Sequence, residues 1–313
     1  MRVLITGAYG FVGGRLVERF QLDSEIDLIL TSRKARGREI LNSRHQSVVL
    51  DVRNVEQCSD AAKDIDCVVH LASLDEAESN ANHQLAMDVN AIGTLNMVKA
   101  CNRNEHTKFI YLSTSQVYGP MGGRVITEQT ELSPFNHYAS THLLGEEYVK
   151  EHSNEATIIR LANSVGVTPL WDSVNWRNVA NDLCRQAVLS QRLILKSSGV
   201  QHRSFIPLTD VAEVIYGLVK TTSSKEKQTV LNLGSETSMS IRSFAKMMAK
   251  EAGRLLQQPI ELTYPDGLEN DEDDFFVFKS SIADQLETPL DHEMSRMISH
   301  FREKLVINEA KKT

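Results

Sequence analysis

The sequence has 313 residues, of which 41% are hydrophobic and 24% are charged, and its formal net charge is −7. This balance is typical of a globular protein and argues against nucleic acid or an anionic membrane surface as a partner, since both attract basic patches. No apolar run of about 18 residues occurs, and the first residues resemble a buried strand rather than a secretion signal, so we expect no transmembrane helix and a cytoplasmic protein that binds a small molecule.

Short apolar runs alternate with amphipathic stretches through the first half of the chain. The runs 3–6, 27–32, 47–52, 67–72 and 108–114 predict strands, and the stretches between them predict helices. A long helix over 138–152 and a strand over 156–162 follow. This alternation predicts an α/β fold with a doubly wound parallel sheet covered by helices on both faces.

The pattern changes after about residue 164. A loop-rich stretch leads into a helix around 177–191, and the segments 206–220 and 229–234 read as a helix and a strand that could rejoin the first sheet. The remainder predicts a smaller α/β lobe. We therefore expect one domain from residues 1–163 plus about 204–234, and a second lobe from about 164–203 plus 235–313.

The turn after the first strand carries three spaced glycines, in the run Thr6-Gly7-Ala8-Tyr9-Gly10-Phe11-Val12-Gly13. Glycines between a strand and a helix permit a tight turn and let backbone N–H groups approach a pyrophosphate. A tight turn without a ligand is the alternative, but the strand before the motif and the helix after it are the context that dinucleotide binding requires. The motif predicts that the first domain is a Rossmann domain that binds a dinucleotide.

The end of the second strand bears on which dinucleotide is bound. Thr31, Ser32, Arg33 and Lys34 stand there, with no carboxylate among them. An acidic residue at this point usually holds a free ribose 2′-hydroxyl, whereas basic and hydroxyl donors suit a 2′-phosphate. We therefore expect NADP(H) ahead of NAD(H), which stays possible; solvated surface charge is the other interpretation of these residues.

The TGxxGxxG spacing resembles that of the extended short-chain dehydrogenase/reductase family, in particular its NAD(P)-dependent nucleotide-sugar epimerases, dehydratases and 4-ketoreductases. His70-Leu71-Ala72-Ser73 is similar to the HLAA segment of that family, and Asn90-Ala91-Ile92-Gly93-Thr94 is similar to its N-x-x-G-T helix start. A helix cap or an amide that bridges strands is the other interpretation of Asn90. The resemblance implies a cofactor site formed by Gly7, Tyr9, Gly10, Phe11, Val12, Ser32, Arg33, Lys34, Asp51, Val52, Leu71, Ala72, Ser73, Asn90, Tyr138 and His142.

The segment 113–119, STSQVYG, resembles the STDEVYG segment of the same family. The resemblance places Thr114 at the catalytic Ser/Thr, whose hydroxyl hydrogen-bonds the reacting oxygen of the substrate. Ser115 and Gln116 stand where 4,6-dehydratases carry Asp and Glu, so they are expected to contact substrate without supporting dehydration.

Tyr138 and His142 occupy the family's Y-x-x-x-K positions, and their i, i+4 spacing puts both on one helix face. The resemblance implies that Tyr138 is the acid/base and that a lysine at 142 would bind the nicotinamide ribose and lower the tyrosine pKa. A neutral imidazole can hydrogen-bond ribose but is only fractionally charged at neutral pH. Three explanations stay open: His142 replaces the lysine as ribose anchor, another basic group supplies the field, or the chain binds cofactor with little turnover.

Two motifs in the second half imply substrate contacts. Arg160-Leu161-Ala162-Asn163 resembles the family's R-x-x-N, which implies that Asn163 holds the nucleotide sugar, and segment 201–205 resembles x-R-D-F, which implies that Arg203 contacts the diphosphate. An ion pair with Asp210 is the other interpretation of Arg203. The resemblance also places the nucleotide pocket near Trp171, Trp176 and Asn181; core packing is the alternative for the two tryptophans.

Together these motifs predict an NAD(P)-dependent oxidoreductase that acts on a nucleotide-diphosphate sugar, as a 4-ketosugar reductase or a 4-epimerase, with the second lobe binding the substrate. We also expect a homodimer. The four cysteines stand too far apart for paired metal ligands, so free thiols and no metal site are expected. The alternative function is a cofactor-binding regulatory or scaffold protein in which catalysis is weak or lost.

Overall fold

The computed structural model describes residues 1–36, 45–102, 107–221, 228–265 and 274–310, with side chains of the last helix up to residue 305. The strands are β1 (Arg2–Thr6), β2 (Asp27–Ser32), β3 (Gln46–Val49), β4 (Cys67–His70), β5 (Lys108–Thr114), β6 (Val125–Ile126), β7 (Ala156–Leu161), β8 (Asn163–Val165), β9 (Arg192–Ile194), β10 (His202–Arg203), β11 (Phe205–Pro207), β12 (Gln228–Leu233), β13 (Met239–Ser240), β14 (Glu261–Thr263) and β15 (Val277–Phe278). The helices are α1 (Phe11–Phe20), α2 (Val55–Ala61), α3 (Glu76–Ala81), α4 (His83–Ala86), α5 (Gly93–Cys101), α6 (His137–His152), α7 (Val179–Ser190), α8 (Leu208–Lys220), α9 (Ile241–Leu256) and α10 (Leu290–Ala310). A π-helical segment (Met87–Ile92) and short 3₁₀ segments, of which Ser115–Tyr118 follows β5, complete the described elements.

Seven strands form the main sheet, in the order β12-β7-β5-β4-β1-β2-β3. All neighbouring strands are parallel. The central strands are buried along nearly their whole length, as β4 is at all four residues, which is why they read as continuous apolar runs rather than alternating ones. The predicted doubly wound parallel sheet is confirmed.

The strand order reverses between β1 and β4. The chain builds outward from β1 through β2 to β3 and then crosses back to place β4 on the other side of β1, with Thr6 opposite His70. Connections leave the carboxyl ends of β1 and β4 in opposite directions, which opens a crevice at that edge of the sheet. Ligands of open α/β sheets bind at such a switch point, so the fold directs attention to the ends of these two strands.

A hydrophobic core joins this sheet to its helices. Leu4, Val68 and Phe109 from three adjacent strands are fully buried, and Met97 from α5 packs in the same cluster. Each such side chain stabilises the fold by about 1.5–3 kcal/mol through the water it leaves. The sheet is thereby a rigid platform for the loops at its edge.

One predicted element differs from the structure. The segment 206–220 was expected to be a single helix, but Phe205–Pro207 forms a strand that pairs with β8, and the helix begins at Leu208. Pro207 lacks an N–H and is tolerated at the last position of this short strand, immediately before the helix. The apolar run therefore divides at the proline.

The described chain consists of two compact units. Unit 1 comprises Met1–Pro120, Glu128–Leu161 and Ala212–Leu233, and unit 2 comprises Met121–Thr127, Ala162–Val211 and Gly234–Thr313, each within the described residues. Residues 204–211, which the sequence analysis assigned to the first domain, lie in unit 2 because β11 pairs with β8 and not with the main sheet. Residues 121–127 lie in unit 2 because β6 pairs with β15.

Unit 2 has its own apolar core, built from α7, α9, α10 and short strands. Phe205 and Phe244 stack with ring centroids 4.1 Å apart. Trp171 and Trp176 pack edge-to-face against Phe301, at 5.3 Å and 5.5 Å between centroids. Both tryptophans therefore pack against the core of this unit, as in the core-packing interpretation given in the sequence analysis.

All four cysteines, Cys58, Cys67, Cys101 and Cys184, are buried and free. Burial raises the pKa of Cys58 and of Cys67 to about 12, so these thiols stay protonated at neutral pH. Within the described residues, no three or more His, Cys, Asp or Glu side chains are grouped in a way that could hold a metal ion. In the same part of the chain, every helix is too short or too polar to cross a membrane.

Candidate active site

The glycine-rich turn lies at the carboxyl end of β1. Gly7 has φ of +65°, in the left-handed region, and a side chain there would also meet the backbone of Leu71 and Ala72 at 3.0 Å. Gly13 packs against the Gly7 carbonyl so closely that no Cβ fits between them. Gly10 stands at the N-terminus of α1 and supplies no side-chain cap. No cap side chain therefore occupies the backbone N–H groups of the first turn, which leaves them free to bind a pyrophosphate.

The remaining residues predicted for this turn, Tyr9, Phe11 and Val12, lie beside it. Phe11 and Val12 form the first turn of α1 and are half-buried. Tyr9 is buried, and its hydroxyl donates to Ser47 Oγ at 2.9 Å, which ties the turn to β3. The turn is thus anchored on both sides.

The ends of β2 and β3 carry the residues that were expected to discriminate between dinucleotides. Ser32 Oγ donates to the backbone carbonyl of Lys34, and the side chains of Arg33 and Lys34 are exposed. Asp51 forms an ion pair with Arg53, whose hydrogen bonds are the main reason that the pKa of the Asp51 carboxyl is lowered. Val52 is buried. A side chain at position 93 would collide with the Val52 methyl group, so Val52 packs directly against α5.

A chain of buried hydrogen bonds links β1, β4 and α5 beneath the turn. Thr6 Oγ1 accepts from the backbone N–H groups of Leu71 and Ala72, both at 3.1 Å, and lies 2.8 Å from His70 Nδ1. His70 Nε2 lies 3.1 Å from Thr94 Oγ1. Burial lowers the pKa of His70 to about 3, so its ring is neutral. These bonds hold the Leu71–Ala72 segment against the glycine turn, whereas the next residue, Ser73, is exposed.

Asn90 lies in the π-helical segment Met87–Ile92 and is 1% exposed. Its Oδ1 accepts from Leu74 N–H at 2.8 Å, and its Nδ2 donates to Ser79 Oγ at 3.2 Å and to Thr141 Oγ1 at 3.1 Å. The amide therefore joins the loop after β4 to α3 and α6, which agrees with its interpretation as a bridging amide. Its cofactor role stays a prediction.

The three predicted catalytic residues meet where β5 ends and α6 begins. Asn136 caps α6 by accepting from Ala139 N–H at 2.8 Å, which places Tyr138 in the first turn. Tyr138 and His142 contact edge-to-face, with ring centroids 4.6 Å apart. Burial raises the pKa of Tyr138 to about 12, although its hydrogen bond with Thr114 acts to lower that pKa. The phenol is therefore protonated at neutral pH.

His142 is 2% exposed and lies between two tyrosines. Its Nδ1 is 3.1 Å from the Tyr111 hydroxyl, and no group among the described residues hydrogen-bonds its Nε2. Burial lowers the pKa of His142 to about 4, although the carboxylate of Glu146 acts to raise it. The ring is consequently neutral at neutral pH and can donate or accept one hydrogen bond at Nε2 without contributing a positive charge.

Glu146, one turn beyond His142, was not singled out from the sequence, although the i, i+4 spacing from Tyr138 through His142 could have revealed it. It is fully buried and pairs with Arg160 at 2.7 Å, while Ser113 Oγ donates to it at 2.6 Å. Arg160 also donates to the hydroxyl of Tyr118 at 2.9 Å, and that hydroxyl donates to Asn232 Oδ1 at 2.6 Å. The arginine of the R-x-x-N motif thus fixes α6 against the sheet.

Ser115 and Gln116 follow Thr114 directly. Ser115 is buried. Both ends of the Gln116 amide are engaged within unit 1, since Nε2 donates to Glu76 Oε2 at 2.9 Å and Oε1 accepts from Asn136 Nδ2 at 2.9 Å. Glu76, which was not singled out from the sequence, also raises the pKa of Tyr138, after the larger effect of burial. Substrate contact by Ser115 and Gln116 stays a prediction.

Asn163 and Arg203 lie near each other in unit 2. Asn163 N–H donates to the carbonyl of Ser204 at 3.0 Å, next in sequence to Arg203. Arg203 is exposed, and within the described residues it forms no ion pair; one guanidinium nitrogen donates to the His202 carbonyl at 2.7 Å. Asp210, its alternative partner, instead accepts from Thr288 N–H at 3.2 Å.

Comparison with known proteins gives consistent matches. A family model described as "NAD dependent epimerase/dehydratase family" matches residues 3–234. The chain is 24% identical over 259 residues to a putative UDP-glucose 4-epimerase of Methanocaldococcus jannaschii, covering 80% of this chain and 82% of the relative. It is 25% identical over 318 residues to UDP-glucuronic acid decarboxylase 1 of Xenopus tropicalis, covering 97% and 73%. Its fold is similar to that of a Thermus thermophilus UDP-glucose 4-epimerase solved with NAD, at a TM-score of 0.78 and 21% identity over 96% of this chain and 99% of that one.

Proposed function

Because this chain belongs to the NAD dependent epimerase/dehydratase family, we propose that it is an NAD(P)-dependent oxidoreductase that acts on a nucleotide-diphosphate sugar. The observation that carries the proposal is the convergence of Thr114, Tyr138 and His142 at one edge of the sheet, in the unit that holds the glycine turn. Unit 1 then binds the dinucleotide and unit 2 the sugar nucleotide. A homodimer and a cytoplasmic location stay predictions.

The residues of unit 1 fit a nicotinamide dinucleotide. Gly10 leaves the backbone N–H groups of the first turn of α1 without a side-chain cap, and His142 Nε2 is a buried polar atom that lacks a partner within the described residues. A bound dinucleotide would supply or accept the hydride. Gly7, Gly10 and the first turn of α1 would hold its diphosphate, and His142 would hold its nicotinamide ribose.

The exposed basic residues at the end of β2 bear on the choice between ketosugar reduction and epimerisation. Arg33 and Lys34 suit NADPH, a cofactor that dissociates after each turnover, whereas epimerisation uses a dinucleotide that stays bound. Tyr138, protonated at neutral pH, would donate the proton to the forming hydroxyl. We therefore place 4-ketosugar reduction ahead of 4-epimerisation.

The substrate class makes a prediction about Arg203. An exposed guanidinium without a carboxylate partner among the described residues suits two phosphate oxygens. UDP, GDP or dTDP at millimolar concentration is expected to raise the melting temperature, because a ligand that binds only the folded state stabilises it. The rise should be clearly smaller in Arg203→Ala.

The matched control is Arg192→Ala, which removes an arginine of unit 2 that already pairs with Glu261. That variant should show the same rise as the parent. If none of the three nucleotides shifts the melting temperature of the parent, the substrate assignment is wrong.

The cofactor makes a second prediction. The end of β2 presents Arg33 and Lys34 to solvent, and the residues there include no carboxylate. We propose that these side chains bind a ribose 2′-phosphate, so that calorimetry should show NADPH binding roughly tenfold more tightly than NADH, the value of one charged hydrogen bond. Arg33→Ala should remove the difference.

Arg19→Ala is the control, since Arg19 on α1 pairs with Glu213 and takes no part in the proposed site. It should keep the preference of the parent. Equal affinities of the parent for NADPH and NADH would contradict the proposal and favour NAD(H), with which the Thermus thermophilus enzyme was solved.

The second candidate function is a regulatory or scaffold protein that binds cofactor with little turnover. The neutral His142 in place of a charged lysine favours it. Tight dinucleotide binding together with no conversion of any sugar nucleotide would select this candidate.

A further inference from the structure

Tyr111 is a buried tyrosine that the proposed reaction does not use. It lies on β5, is 2% exposed, and places its hydroxyl 3.1 Å from Nδ1 of His142 on α6. Gly145 makes this approach possible, because any side chain at that position would collide with the phenol oxygen. Which of the two groups donates the proton in this contact decides what His142 offers at Nε2.

The hydrogen bonds next to Tyr111 have only one consistent arrangement. Thr6 Oγ1 already accepts from two backbone N–H groups, so its own proton goes to His70 Nδ1 at 2.8 Å. His70 is neutral and must then carry its proton on Nε2, which donates to Thr94 Oγ1 at 3.1 Å. The Thr94 hydroxyl in turn donates a hydrogen bond to the backbone carbonyl of Asn90 at 2.6 Å. Every donor in this series therefore points away from Thr6.

The acceptor of the Tyr111 hydroxyl proton follows from the groups around it. The Tyr111 proton can go to His142 Nδ1 at 3.1 Å, to the His142 carbonyl at 3.4 Å, or to Thr94, which also hydrogen-bonds Tyr111. The carbonyl is inside α6 and already accepts the helix N–H. Thr94 Oγ1 accepts from His70 and keeps one lone pair, but a neutral imidazole nitrogen is a stronger acceptor than a hydroxyl oxygen, and a phenol is a stronger donor than an imidazole N–H. Nδ1 is nearer than the carbonyl, and it has no other donor within the described residues.

We propose that Tyr111 is a positioning residue whose hydroxyl donates to Nδ1 of His142 and so holds the proton of that ring on Nε2. The inference rests on the proposed role of His142 as ribose anchor. With its proton on Nε2, His142 is a neutral donor to a ribose hydroxyl. A lysine ammonium is always a donor, whereas a neutral imidazole donates at Nε2 only in this tautomer. Tyr111 and His142 together thus take over the ribose-binding part of the lysine's role, without its positive charge.

The tautomer can be read directly by NMR of the full chain without added ligand, with its histidine ring nitrogens isotopically labelled and His142 assigned from a His142→Gln variant. At neutral pH the expected result is an unprotonated, hydrogen-bonded Nδ1 and a protonated Nε2. In Tyr111→Phe the Nδ1 signal should move to the position of a nitrogen without a hydrogen bond. A ring protonated on Nδ1 in the parent, or an Nδ1 signal that Tyr111→Phe leaves unchanged, would overturn the proposal.

Cofactor affinity gives the second readout. Tyr111→Phe should weaken dinucleotide binding by roughly fivefold, the value of one hydrogen bond, and should cause no further loss in a His142→Gln background. The control is Tyr118→Phe, which deletes another buried phenol hydroxyl of unit 1 that bonds Asn232 and Arg160. It should leave the His142 signals unchanged. Additive losses in the double variant would count against the proposal, whereas a parent that binds no dinucleotide would refute the proposed function and leave the tautomer result standing.

Discussion

Replacing Tyr138 with phenylalanine is expected to lower kcat by roughly 10²–10⁴-fold while leaving the Kd of the dinucleotide nearly unchanged. The substitution deletes one hydroxyl, which hydrogen-bonds Thr114, and keeps the ring that packs against His142 with a 4.6 Å centroid separation. The proton-transfer group is lost and the binding surface is retained. Steady-state turnover of the sugar nucleotide and calorimetry with the dinucleotide measure the two effects separately.

Tyr148→Phe is the matched control, because Tyr148 is a half-buried tyrosine on the same helix and lies outside the proposed site. It should retain the activity of the parent. A Tyr138→Phe variant as active as the parent would show that Tyr138 is not the acid/base.

The second large effect concerns stability. Glu146→Gln is expected to lower the free energy of unfolding by about 3–5 kcal/mol, because it leaves Arg160 buried without its counter-charge. Arg160 is 2% exposed and Glu146 is fully buried, so water cannot replace the lost interaction. Urea denaturation of the parent and of Glu146→Gln measures the difference in their free energies of unfolding, and equal m-values show that the two unfold in the same way.

Two further variants show whether the loss of stability in Glu146→Gln comes from an unpaired buried charge. Glu146→Gln combined with Arg160→Met removes the unpaired charge and should recover part of the stability, since the cost is that of an uncompensated buried charge. Asp60→Asn breaks the exposed pair with Lys63 and should change stability by less than about 1 kcal/mol. A loss in Glu146→Gln as small as that of Asp60→Asn would mean that the buried pair does not hold α6 against the sheet.

Much of the fold follows from local patterns in the sequence. The helix predicted over 138–152 is observed as His137–His152, because an asparagine cap, the apolar spacing and the following strand all agree there. The glycine turn was equally predictable, since a strand, a positive φ at Gly7 and a close helix approach require glycine at fixed positions. Such features are local, and the residues that specify them are neighbours in the chain.

The parts that could not be predicted depend on contacts between distant segments. The pairing of β11 with β8 divides an apolar run whose pattern alone indicates one helix. Tyr111 and His142 stand 31 residues apart, on a strand and a helix, and no periodicity connects them. The burial that makes His142 neutral is likewise a property of the packed fold. The sequence could show that a lysine is replaced, but only the structure shows which group supports its replacement.

We propose that this chain transfers a hydride between a nicotinamide dinucleotide and a sugar nucleotide. A turnover assay of the unsubstituted protein tests this proposal most directly. The purified protein is incubated with reduced dinucleotide and with UDP-, GDP- and dTDP-linked sugars and 4-ketosugars, and the sugar products are identified by mass spectrometry and NMR. The proposed function predicts conversion of at least one of these compounds, with reduction of a 4-ketosugar as the leading reaction and no conversion in Tyr138→Phe. Tight binding of the dinucleotide with every sugar nucleotide recovered unchanged would contradict the claim.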